Sequence, residues 1–196
     1  MRMARAKKIK KLFWWFFVLV VVFGAGYGLV KWIAYRQAHL PGEVFPEVSR
    51  DHIPLNDPKP RGYNSNPPTS GPHFSSPAKW GIYDYEVRDE IFIHNMEHGG
   101  VWISYKPGVP QGVVEDLKKI VGDINTKIVL GVRSKNDTDI AVVAWTRLLK
   151  FNLSGGVLSA SQKGDIENFV QSFVNKGPEF IPDMGGGIDP VRSQTP

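Results

Sequence analysis

Residues 12–30, LFWWFFVLVVVFGAGYGLV, carry no charge and follow a strongly basic start. A helix of that length spans roughly 28 Å, close to a hydrocarbon core of ~30 Å. Helical geometry also satisfies every backbone group inside the bilayer. Trp14 and Trp15 mark one end of the run, and Trp32 and Tyr35 follow the other, at depths that amphipathic rings prefer. The pattern predicts a transmembrane helix over 12–34 behind a basic cytoplasmic tail, 1–11. Arg2, Arg5, Lys7, Lys8, Lys10 and Lys11 precede the span, and only Lys31 and Arg36 lie just after it. The positive-inside bias then leaves the N-terminus in the cytoplasm and the rest outside a single-pass anchor in the cell membrane. A cleaved signal peptide is the competing reading, since Gly24, Ala25 and Gly26 follow the apolar stretch. Continuation of the run to Val30, with Trp32-Ile33 beyond, favours a retained span.

Eight prolines between 41 and 72 interrupt any regular pattern. Residues 35–61 read as a semi-rigid stalk. GYNSNPPTSGPHF (62–74) mixes aromatic, amide and histidine side chains with its turn residues, and reads as an ordered loop on the domain. Thereafter IFI (91–93), VWISY (101–105), KIVLGVR (127–133) and IAVVAW (140–145) read as strands. SKNDTD (134–139) makes a hairpin of the last two. Val113, Leu117, Ile120 and Val121 recur at helical spacing, as do Ile166, Phe169, Val170, Phe173 and Val174. The expected fold is an α/β (α+β) two-layer sandwich over 62–182, a small mixed sheet with two helices. The strand–helix–strand unit at 101–133 suits a right-handed parallel crossover. Residues 183–196, with GGG and polar neighbours, are expected to be disordered.

The net charge of +5 is a property of the start of the chain. Six of the 24 basic residues fall within the first 11 positions, leaving 18 against 19 acidic ones. The mildly acidic body argues against nucleic acid as a partner. With no cysteine, the chain has no disulfide, thiolate ligand or cysteine nucleophile.

Histidine is where chemistry enters. His39 beside the membrane and His52 in the stalk read as solvated. HNMEHGG (94–100) places His94 and His98 four apart; on a helical turn they share a face, whereas on a strand they lie about 13 Å apart, too far for one ion. The metal reading therefore requires 94–98 to leave extended geometry, with His73 as a third nitrogen ligand from the loop. Such a site suits copper or zinc. Met96 and Met184 are soft donors that would favour copper if either approached. Alternatively the histidines fasten loop to sheet and bind nothing, in a structural or partner-binding module of the cell envelope. Glu97 completes H-x-x-E-H, the spacing of inverted zinc peptidases, in which the glutamate is a general base. Here it abuts a strand in a small domain, so a hydrolase is the weaker reading and Glu97 a weak catalytic candidate. Trp80, Trp102 and Trp145 read as core, and Tyr63, Asn64, Asn66, Thr69 and Ser70 as turn residues that satisfy one another.

YNSNPPTSGPH (63–73), WGIY (80–83) and HNMEHGGVWISY (94–105) together resemble a bacterial membrane-anchored family catalogued as domain of unknown function 3105. The resemblance implies an N-terminal membrane segment, an outer α/β domain and no assigned activity. It carries histidines at 73, 94 and 98 and a glutamate at 97, with Met96 standing where leucine is expected.

Overall fold

The computed structural model describes residues 2–55, 57, 62–179, 181 and 186–190. The elements in chain order are α1 (Arg2–Ala38), β1 (Glu43–Val44), β2 (His52–Ile53), β3 (His73–Phe74), β4 (Gly81–Tyr83), α2 (Asp89–Glu97), β5 (Val101–Tyr105), α3 (Gln111–Ile124), β6 (Ile128–Val132), β7 (Ile140–Ala144), β8 (Arg147–Phe151) and α4 (Ala160–Phe173). Residues 1–40 and 41–196 form two separate compact units. In the first, Lys10–Ala38 is a helix long and apolar enough to cross a membrane.

The second unit is α+β, as expected. Its six-stranded mixed sheet has the order β1-β8-β7-β5-β6-β4. β5 and β6 pair in parallel across the α3 crossover, and β7 and β8 pair antiparallel. β5 lies between β6 and β7, so the expected 127–145 hairpin does not form. β7 turns instead into β8 through Thr146 at φ 62°. The central strands are buried on both faces. Trp102, Val129, Ala141 and Val143 pack with Phe92, Ile93 and Met96 of α2 in one apolar core. The alternate residues Ile103, Leu130 and Val142 are equally buried, and α3 and α4 pack on β6 and β7. α4 starts with a capping box in which Ser159 and Gln162 satisfy each other's backbone amides.

Residues 91–93, expected as a strand, lie within α2. Glu90 to Glu97 are all buried, so this helix has no solvent-facing side, and its three consecutive apolar residues 91–93 read equally well as a short strand. Asp89 and Glu90 in its first turn complement the helix dipole.

Part of the segment expected as a stalk is integrated into the domain. β1 pairs with β8, and β2 pairs in parallel with β3 as a second small sheet. The Val48 amide donates to Ser70 Oγ at 3.0 Å, and Trp145 Nε1 donates to Glu47 at 2.8 Å. Proline stops this stretch from forming long strands but leaves enough amides for short ones. In the tail expected to be disordered, Ile188 bridges to Ala78 and packs against the core.

Candidate metal centre

Three elements deliver the chemistry. Parallel pairing sets His52 of β2 beside His73 of β3, and β3 packs on α2, which carries His94 and Glu97. One donor atom from each of His52, His73, His94 and Glu97 lies within 4.8 Å of those of the other three. His73 Nε2 is 2.9 Å from Glu97 Oε2, and His52 Nε2 is 3.4 Å from the same oxygen. The His52 and His94 rings stack, with centroids 5.0 Å apart, and the His73 ring stands edge-on to both. His73, His94 and Glu97 are buried, while 45% of the His52 side chain is exposed.

Backbone carbonyls aim two of the rings. His73 Nδ1 donates to the Gly71 carbonyl at 2.8 Å, and His94 Nδ1 donates to the Phe74 carbonyl at 2.6 Å. A carbonyl only accepts, so both Nδ1 atoms carry hydrogen and each neutral ring has its lone pair on Nε2. The His73 lone pair then faces a carboxylate oxygen, an arrangement that needs a proton or a cation between the two. Bonds of 2.0–2.2 Å place two donors about 2.9 Å apart at a right angle and about 3.4 Å apart at the tetrahedral angle. The two contacts to Glu97 Oε2 match those separations. Anchoring of a ligand's remote nitrogen on a carbonyl is also how metal-bound histidines are oriented.

His94 and His98 do share a helix face, as the metal reading required; their Nε2 atoms are 3.0 Å apart. His98 nevertheless lies outside the group of four and faces Glu179, 3.3 Å from its Nε2. Met96 points away from the histidines into the apolar core, because two residues from His94 on a helix is nearly the opposite face. Met184 lies outside the described residues. His52, expected to be solvated, joins the cluster through the β2–β3 pairing, and only its identity as a histidine could have flagged it. The loop residues serve architecture, but more by tying other segments than by satisfying one another: Tyr63 donates to the Pro72 carbonyl and Ser65 bonds Thr69, while Asn64 donates to the Pro46 carbonyl and Asn66 to that of Lys135.

Gly99 and Gly177 hold the outer edge of the site. Gly99 ends the α2 turn at φ +78°, and a Cβ on Gly177 would run into the Glu97 carbonyl and the Gly99 backbone. This close approach lets the Glu179 amide donate to the Glu97 carbonyl at 3.0 Å and the Asn175 amide to Gly99 at 2.8 Å.

Burial sets the protonation of the site. It pushes His94 down to about 4, against the hydrogen bond to Phe74, and pushes His98 down against the pull of Glu179 and Glu97. Burial pushes the Glu97 carboxyl up, but hydrogen bonds from His73 and His52, with charge from His73 and His94, outweigh it and leave the carboxyl below its ordinary value. In chelator-treated protein these shifts share one sign. From pH 6.5 down to about 4 the unfolded chain takes up protons that folded His94 refuses, so stability falls with pH. Glu97 adds to the loss once pH drops below 4.5. The expected loss between pH 7 and 4 from His94 is on the order of 2 kcal/mol, absent in His94→Gln, by denaturant unfolding at each pH.

Residues 57–183 match the family described as protein of unknown function (DUF3105). The chain belongs to this family. His73, His94, Glu97 and His98 lie inside the matched DUF3105 region, whereas His52 precedes it. No curated protein and no solved structure matches the chain.

Proposed function

We propose that this DUF3105 protein is a single-pass membrane protein whose extracytoplasmic domain binds one divalent transition-metal ion, zinc or copper(II), through His52, His73, His94 and Glu97. The observation that carries the reading is the convergence of three imidazoles and one carboxylate within 4.8 Å, two of the rings being fixed at Nδ1 by backbone carbonyls, which leaves Nε2 of each as its donor. Three nitrogens and one oxygen suit a borderline ion. The Met96 thioether, which would suit copper(I), packs in the apolar core.

The proposed role is holding or handling the ion. Four protein donors fill a tetrahedral shell, whereas a catalytic zinc keeps a position open. Glu97 lies against two imidazoles, so it reads as a ligand here and not as the general base of a peptidase. The basic residues before the apolar helix support a cytoplasmic N-terminus and an outer domain. One observation favours a purely architectural cluster: a single proton shared by the buried His73 and Glu97 would also reconcile their lone pairs.

Metal analysis separates the two readings. The full chain, purified in detergent and dialysed against zinc, should hold one ion per chain, and His73→Ala, which removes a ligand itself, should lower affinity by more than the roughly 100-fold that losing an outer-shell partner can cost. Equal zinc content in wild type and His73→Ala would leave the histidines as fasteners of loop to helix.

A further inference from the structure

Beside the four proposed ligands lies a second donor pair that the site does not absorb. His98 Nε2 is 3.0 Å from His94 Nε2 and 3.3 Å from a Glu179 carboxylate oxygen. Glu179 is held there by its own backbone, through the amide bond to Glu97 and the glycine contact described above. Both groups reach solvent, with side chains 16% and 47% exposed; in the inner group only His52, at 45%, does so on its own side, whereas His73 and Glu97 are closed off at 0% and 2%.

The lone pairs give this pair a direction. His94 Nδ1 is committed to the Phe74 carbonyl, so Nε2 is its one free donor. That nitrogen is 3.0 Å from His98 Nε2 of the outer pair, while His94 also belongs to the inner group with His52, His73 and Glu97. A single lone pair serves one ion at a time. An ion held by His98, Glu179 and His94 can therefore exchange its first two ligands for His73 and Glu97 without ever leaving His94. Bond making accompanies bond breaking at each exchange, no electrons are transferred, and the ion stays divalent throughout.

The Lys127 ammonium donates to the His98 carbonyl at 3.3 Å and places a fixed cation beside an incoming one. The carboxylates of Glu179 and Glu97 outweigh it, so the outer pair attracts a cation on balance. The inner group then holds the ion better, because it offers three further donors, one of them a buried carboxylate.

We infer that His98 and Glu179 form an outer transfer site, through which a divalent metal ion enters and leaves the buried centre by ligand exchange on His94. This rests on the metal reading above, and the test keeps the two apart. Full chain in detergent is loaded with zinc and mixed rapidly with excess chromogenic chelator, and zinc release is followed alongside equilibrium content. His98→Ala and Glu179→Gln should each retain one zinc per chain with affinity close to wild type, while release and reloading slow by about tenfold. Unchanged rates in both variants would overturn the transfer site and leave the centre intact. Zinc content lost in His98→Ala to the same degree as in His73→Ala would make His98 a resident ligand and equally overturn it. A wild type that takes up no zinc removes the metal reading itself.

Discussion

Asp89→Ala should destabilise the domain by about 3–5 kcal/mol, the usual cost of stranding a buried charge. Asp89 receives both arms of Arg133, Nε to Oδ1 and Nη2 to Oδ2, each at 2.8 Å. The two side chains are 7% and 13% exposed. Arg133 also donates to Asn66 Oδ1 at 2.7 Å and Asn136 Oδ1 at 3.1 Å, and lies over the Trp102 ring. It thus joins the first turn of α2, the proline-rich loop and the end of β6. Removing the carboxylate leaves a largely buried guanidinium that two neutral amides cannot neutralise. Chemical denaturation of the full chain in micelles, followed by tryptophan fluorescence, measures the loss. Arg133→Met added to Asp89→Ala should recover much of it, because the buried charge is then gone. A loss below about 1 kcal/mol would place the pair with ordinary surface bridges.

Zinc should raise the unfolding midpoint of the wild-type domain by about 5–10 °C. An ion supplied at about 100 times its Kd, and bound by the folded state alone, adds about 2.7 kcal/mol. A chain of this size moves by about 2–4 °C for each kcal/mol. The gain has a structural source: the ion would take the place of the proton that otherwise sits between His73 and Glu97, both sealed from solvent, and would bond His52 and His94 as well. His73→Ala should melt at one temperature with or without zinc, while His39→Ala should keep the full shift. Differential scanning calorimetry reads both. A zinc response that survives in His73→Ala would place the ion elsewhere on the chain.

The elements whose periodicity was clear in the sequence form where expected. α3 and α4 each bury one stripe, and β5, β6 and β7 carry β-branched runs bounded by turn residues. The crossover from β5 to β6 follows from chain direction. What escaped was non-local. Nothing in SKNDTD announces that β5 inserts between its flanking strands, because strand order is decided by pairing partners far away in sequence. β8 escaped because RLLKF alternates weakly, with only Leu148 fully buried among its ends and neighbours. α2 escaped because its consecutive apolar residues 91–93 read as a strand, while its polar face of Glu90, His94 and Glu97 is turned inward to the site instead of to solvent. The site was half legible. Spacing placed His94 and His98 on one face and singled out Glu97, and loop composition brought in His73. His52 required a two-residue strand inside a proline-rich segment, for which no local pattern exists.

The side-by-side register of His52 and His73 makes the lead into the domain a counted length. Successive residues of a strand face opposite ways, so gaining or losing one residue ahead of β2 would present Asp51 or Ile53 where the imidazole now stands. Over residues 45–51, apart from Phe45 on the core and Glu47 on Trp145, the chain can trade side chains at small cost, yet it cannot change their number. In a redesign, this stretch should be treated as a ruler: freely repainted, never lengthened.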